Sequence, residues 1–198
     1  MPQQSMHQQI VLASTSRYRA DALKQLRLSF TTADPQTQEI PQAGEQPNDL
    51  ALRLAHQKAA AVAQHYPQAI VIGADQVGYC QGQQLSKPGT IDNAVAQLCA
   101  VSGQRAQFYS ALALHDPLHN RCLDAVVVTE LTFRQISTSQ AQHYVAVDNP
   151  LDCAGAFKVE SLGIALFTEV RSNDPSALIG LPLIALVDML NQCGIHPL

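Results

Sequence analysis

Ala69-Ile70-Val71-Ile72-Gly73-Ala74-Asp75 is the stretch on which the fold turns. Apolar and small residues run together with no polar alternation, then stop at a carboxylate. A strand apolar on both faces must be covered on both faces, so it belongs at the centre of a sheet. Ligands of open α/β sheets gather outside the carboxyl ends of such strands. Asp75, expected to end this strand, is therefore the first candidate for chemistry. A carboxylate there can take a proton from water or hold a divalent ion. On position alone it is equally a turn or helix-cap aspartate.

Working outward, the neighbours support an α/β chain. Ile10 to Ala13 reads as another buried strand, followed by a helix from Ser16 to Leu26 and a strand from Leu28 to Thr32. A loop rich in Pro, Gln and Glu runs from Asp34 to Pro47 and leads to a helix capped by Asn48 or Asp49 and ended by Pro67. Downstream, Gly82 marks a hairpin, and Thr90 caps a helix to Val101. Phe108 to His115 and Leu123 to Arg134 form two long strands. Ser137 caps a helix to Val147, Gly163 to Val170 reads as a strand, and Gly180-Leu181-Pro182 opens the last helix.

Composition narrows the function classes. The 198 residues suffice for one core, or for one domain of two lobes. A formal charge of -4 leaves no global basic footprint for nucleic acid, so any anion site is a local cluster of Lys and Arg. Five scattered cysteines, never in a C-x-x-C pair, disfavour a disulfide framework or structural zinc and fit a reducing compartment. Met1 to Gln9 lacks the order of a signal peptide, and no apolar run approaches membrane-spanning length. The expectation is a cytoplasmic protein. There is no P-loop pattern, no H-E-x-x-H and no G-x-S-x-G. His115 and His119 are separated by Pro117, which makes a turn of them rather than one helix face.

Two anion-binding signals remain. Lys58 falls on the apolar stripe Ala51, Leu54, Ala55, Ala59, Val62 of its helix, so its ammonium either finds a carboxylate or anion or snorkels at the stripe's edge. Ser14-Thr15-Ser16-Arg17-Tyr18-Arg19 joins a strand to a helix. Backbone N–H groups of Ser14 to Ser16 can face a phosphate there, and Arg19 can grip it bidentately. Lys87, before Pro88-Gly89-Thr90, stands beside another helix start. Lys87 and the loop residue Glu39 each say little alone.

Together, Ser14-Thr15-Ser16-x-x-Arg19, Glu39, Ala55-x-x-Lys58-Ala59, Gly73-Ala74-Asp75-Gln76-Val77, Lys87-Pro88, Cys153-Ala154-Gly155-Ala156-Phe157-Lys158-x-Glu160 and Asp174-Pro175-x-x-Leu178-Ile179-Gly180-Leu181-Pro182-Leu183 resemble the Maf family of nucleotide pyrophosphatases. Tyr18, Gln76 and Glu160 make the chain most similar to its YceF-type branch, associated with 7-methyl-GTP. An aromatic face attracts the charged 7-methylguanine ring, and a carboxylate accepts from guanine's N1–H and amino group. The chain departs from the family at Arg17, Ala20 and Ser161, and carries Tyr18 where the branch usually has Trp.

The resemblance implies an α/β, two-lobed Maf/ITPase-like fold with an elongated curved mixed sheet and a central cleft. Residues 1–9 would be an extension and 10–198 the domain. The implied reaction is hydrolysis of a nucleoside triphosphate between the α and β phosphates. Asp75 would be the catalytic base. Ser14, Ser16, Arg19, Lys58 and Lys87 would bind phosphates. Tyr18, Gln76 and Glu160 would choose the base, and Glu39 with Asp75 would hold a divalent metal cation, Mg or Mn. The partner would be a small-molecule nucleotide, with homodimers common in such relatives and no nucleic acid or membrane partner. Two alternatives stand beside it: the same reaction on dTTP, UTP or a modified pyrimidine nucleotide, and a nucleotide-binding cell-division regulator with little turnover.

Overall fold

The apolar run at Ala69 is only the first part of its strand, which continues past Asp75 from Ile70 to Cys80 in a computed structural model that describes residues 8–198. In chain order the elements are β1 (Ile10–Ala13), α1 (Arg17–Lys24), β2 (Thr31–Ala33), α2 (Pro47–Ala63), β3 (Ile70–Cys80), β4 (Gln83–Leu85), α3 (Ile91–Ala100), β5 (Arg105–Asp116), β6 (Arg121–Phe133), α4 (Thr138–Asp148), β7 (Phe167–Arg171) and α5 (Leu183–Gln192). Short 3-10 turns occupy Ala154–Ala156, Leu162–Leu166 and Ala177–Ile179. The mixed α/β class expected from the sequence is the one observed. Residues 1–7 of the expected N-terminal extension lie outside the described residues. Gln8 and Gln9 are already tied to the sheet, through Asp116 and the Ile70 N–H.

Seven strands form one mixed sheet in the order β2-β1-β3-β5-β6-β7, with β4 also on β3. β1 runs parallel to β2 and β3, and the remaining pairs are antiparallel. One edge of β3 is shared. β1 covers Ile70–Gly73 and β4 covers Gly78–Cys80. Between them the edge at Ala74 to Val77 has no neighbouring strand among the described residues, and Asp75 and Gln76 sit in this gap. Asp75 is thus mid-strand, not terminal as expected. The carboxyl-end rule still locates it, because the parallel half of the sheet ends at Ala13 opposite Gly73.

Three apolar clusters fix the layers. Leu12, Leu23, Ile72, Leu114, Leu186 and Leu190 pack α1 and α5 on one sheet face. Val11, Val71, Ala113, Leu54 and Ala55 pack α2 on the other. Phe108, Phe133, Phe157 and Phe167, in edge-to-face contacts of 4.9–6.2 Å, anchor the cluster that holds α3 and α4.

Several boundaries differ from the sequence reading, each for a local reason. α1 stops at Lys24, and Arg27 turns left-handed at φ 56°. Leu28 and Phe30 then serve the core while strand pairing starts only at Thr31. Gln46, not Asn48 or Asp49, is the N-cap of α2, because Pro47 takes the first turn, where its missing N–H costs nothing. Gly163 begins no strand. A side chain there would sit 2.3 Å from the Lys158 carbonyl oxygen, and the chain coils tightly before β7.

Candidate active site

The gap beside β3 opens into a cleft of about 480 Å³. It is lined by nine of the ten residues that the sequence singled out: Ser14, Ser16, Tyr18, Arg19, Glu39, Lys58, Gln76, Lys87 and Glu160. The tenth, Asp75, is buried immediately behind Lys58.

Lys58 is the hub. Its place on the inward face of α2 leaves it only 4% exposed. The cost of burying an ammonium is met by two carboxylates, Asp75 Oδ1 at 2.5 Å and Glu39. Gly73 makes the approach of α2 close enough for this: its missing side chain leaves room for the Ala55 carbonyl and the Ala59 N–H. Burial pushes the Asp75 carboxyl above its ordinary range, against the pull of Lys58 and Arg19. Partial burial also acts to raise Glu39, but Lys58, with Lys87 and Arg19 beyond it, outweighs this and holds Glu39 below its ordinary value.

The Ser14–Ser16 loop is pinned from within. Ser16 caps α1 by accepting from the Arg19 N–H, and Ser14 Oγ accepts from the Ser16 N–H at 3.1 Å and from Arg19 Nη1 at 3.4 Å. The Ser14 N–H bonds the Leu12 carbonyl. Of the three N–H groups expected to face a phosphate, two are therefore spent internally. Only that of Thr15 has no protein partner among the described residues. Arg19 is aimed by its Nε, which donates to the Gly180 carbonyl at 3.0 Å.

Tyr18, Gln76 and Glu160 also line the cleft. Gln76 Nε2 lies 3.0 Å from Ser110 Oγ and from the carbonyls of Ala177 and Leu178. Those carbonyls fix the amide's orientation, leaving Oε1 as its hydrogen-bonding atom for a ligand. Lys158 is not a ligand group here: its Nζ donates to the carbonyls of Asp148 and Asn149 at the end of α4, a cation at the negative end of a helix.

Sequence reading gave no role to two supporting residues, one inside a quoted motif and one outside any. Asp174 is buried, accepts from the N–H groups of Ser176, Ile184 and Ala185, and receives the Ser176 hydroxyl at 2.5 Å. It caps α5 and fixes the turn whose carbonyls hold Gln76 and Arg19; the Asp-Pro pair before an apolar run was its signal. Arg53 binds Glu45 through two nitrogens at 2.6 and 2.7 Å and the Ile40 carbonyl at 3.1 Å, which fastens the loop carrying Glu39 to α2. No local motif marks that pair.

A strand-flanked gap in which Lys58, Lys87 and Arg19 gather about Glu39, with a fixed amide, an aromatic and a carboxylate also on its walls, suits an anion with a planar head. The model of the family described as Maf-like protein matches residues 9–193, and the chain belongs to that family. A protein of Xanthomonas oryzae pv. oryzae named 7-methyl-GTP pyrophosphatase is 49% identical over 191 residues, 96% of this chain and 99% of its own. A protein of the same name from Bordetella pertussis is 47% identical over 96% of this chain and 94% of its own. Among solved structures, the Ham1 protein of Staphylococcus aureus aligns with a TM-score of 0.46 at 16% identity, over 65% of this chain and 73% of that one.

Proposed function

We propose that this protein hydrolyses 7-methyl-GTP to 7-methyl-GMP and diphosphate. The observation that carries the reading is the Lys58 ammonium held between Glu39 and Asp75 where Ser14, Arg19 and Lys87 converge. Relatives named for this activity, similar along nearly their whole length, support the choice of substrate. Arg19, Lys58 and Lys87 bind the triphosphate and offset charge developing on the leaving diphosphate. Ser14 and Ser16 shape the loop beneath it. Drawing Lys58 toward the phosphates uncovers Asp75. Asp75 then takes a proton from the water that attacks the α-phosphorus, as the bond from that phosphorus to the bridging oxygen breaks. A carboxyl raised by burial suits that task, because a base works best with a pKa near the working pH.

A divalent cation belongs to the proposal. Among the described residues no three His, Cys, Asp or Glu side chains group as a metal site. The two carboxylates that meet at Lys58 are nonetheless the hard donors that Mg²⁺ or Mn²⁺ takes alongside water and phosphate oxygens. Glu39 and Asp75 would hold the ion, which would neutralise charge on the phosphates. Tyr18 offers a stacking face, Glu160 accepts from guanine's N1–H and amino group, and the Gln76 Oε1 is a further acceptor. The reading places the protein in the cytoplasm, in keeping with its five free cysteines, and as a homodimer, in keeping with the family resemblance. No helix among the described residues is long and apolar enough to cross a membrane.

The deciding experiment is diphosphate release from a panel of nucleoside triphosphates with Mg²⁺ and Mn²⁺. Preference for 7-methyl-GTP over GTP, dTTP and UTP is expected. Preference for dTTP or UTP would move the protein to the pyrimidine reading. Tight nucleotide binding without release would make it a regulator.

A further inference from the structure

Against the Tyr18 wall of the cleft the protein already holds a flat cation of its own. The Arg17 guanidinium lies over the Tyr18 ring, with Cζ 4.8 Å from the centroid, and Nη2 donates to Tyr18 Oη at 2.8 Å. Tyr18 Oη lies 3.3 Å from both oxygens of Asp152. Arg17, Tyr18, Asp152 and Glu160 all line the cleft. Burial acts to raise the Asp152 carboxyl, but its own backbone N–H, the Cys153 thiol and the charge on Lys158 hold it below the ordinary range, so it is an anion at neutral pH.

A guanidinium is planar, delocalised and weakly hydrated. A 7-methylguanine ring is a cation of the same kind. Ring quadrupole and carboxylate attract both for the same reasons. Neutral guanine gains the stacking but not the charge pairing.

We propose that Asp152 is a further specificity-determining residue, forming with Tyr18 a subsite for a flat cationic purine that Arg17 fills until the base displaces it. This rests on the 7-methyl-GTP reading above. It gives the cleft an anionic partner for the base at Asp152, apart from the phosphate-binding cations Arg19, Lys58 and Lys87 that gather about Glu39. Selection against unmodified GTP then comes from a charge that GTP cannot satisfy.

The test is calorimetric binding of 7-methyl-GMP and of GMP, neither of which carries the scissile anhydride, to the full chain. The readout is the ratio of the two dissociation constants. Asp152→Asn keeps the shape and removes the charge. It should cut the ratio in favour of 7-methyl-GMP by about fivefold, the upper end for an exposed ion pair, and a melting temperature matching the parent's reports an intact fold. Arg17→Ala should shift the ratio the other way, by about two- to fivefold, because the competing cation is gone. A parent preference that survives Asp152→Asn, or that falls in Arg17→Ala, overturns the subsite and leaves the activity standing. A parent with no preference for 7-methyl-GMP overturns the substrate reading and the subsite together.

Discussion

Replacing Gly73 with alanine should damage both fold and activity, and the structure sets the size of the effect. An added Cβ would lie 2.1 Å from the Ala55 carbonyl oxygen, 2.7 Å from the Ala59 nitrogen and 2.9 Å from the Ala59 Cβ. All of these belong to α2, two of them to its backbone, so no side chain can rotate away. Contact of the ordinary kind needs roughly 3.4 Å or more, and α2 must retreat by about 1 Å. Overpacking of this sort costs about 1–3 kcal/mol, and rigid backbone on both sides puts Gly73→Ala at the top of that range. For a chain of this size, 3 kcal/mol lowers Tm by about 6–12 °C. Lys58 lies between Ala55 and Ala59 on the displaced helix, and its 2.5 Å bond to Asp75 lengthens with it. A misplacement of about 1 Å near the chemistry can cost about 100-fold in rate. Calorimetric melting and diphosphate release from 7-methyl-GTP read the two effects separately. A variant that melts within about 1 °C of the parent and turns over normally would refute both the close packing and its part in setting Lys58 on Asp75.

The other expectations span base, specificity, support and pH. Asp75→Asn should lower kcat by about 10²–10⁴-fold while the protein stays folded, checked by turnover alongside a melt; near-normal turnover removes Asp75 from the mechanism. Glu160→Gln should reduce the preference for 7-methyl-GTP over other triphosphates without abolishing diphosphate release, and an unchanged substrate profile would sink its role in base recognition. Asp174→Ala leaves the N–H groups at the start of α5 without their buried acceptor and should cost about 2–4 kcal/mol in denaturant titrations. Hydrogen bonds from Arg53 hold the Glu45 carboxyl down to about 2. Its stabilisation is therefore complete above the ordinary value of 4.5 and lost as pH falls toward 2. Melting temperatures of Glu45→Gln and parent should converge at the acid end and separate above it; a constant separation would show the pair to be inert.

The sequence carried the parts of this molecule that local chemistry dictates. Ser16, Thr90 and Ser137 cap their helices as their types suggest, and each accepts an N–H from the first turn. Lys58 could be placed inward because helical spacing alone sets its face. The apolar run stops at Ala74, so the sequence alone puts Asp75 at the end of its strand. β3 nevertheless continues, since backbone pairing of Asp75 to Cys80 with β5 is indifferent to side-chain polarity. Non-local partners left no local trace. Nothing near Arg53 announces Glu45 and Ile40, and nothing near Gln76 announces carbonyls a hundred residues later. The N–H groups of Ser14 and Ser16 looked free because the competing acceptors, Leu12 O and Ser14 Oγ, become neighbours only once the loop has folded.

The distribution of these contacts explains why the motifs lie so far apart in the chain. Along the uncovered edge of β3, Ala74 to Val77, the polar residues are Asp75 and Gln76. Everything else must be brought to that edge by other elements. Asp75 takes its partner from α2, and Gln76 takes its support from the Ala177–Gly180 turn, which also orients Arg19. That turn is in turn fixed by Asp174, which belongs to the last ordered motif of the sequence. A change at Asp174 therefore reaches Gln76 and Arg19 at once, through one 3-10 turn and the glycine after it. The Asp-Pro motif thus supports Arg19 and Gln76 without itself lining the cleft.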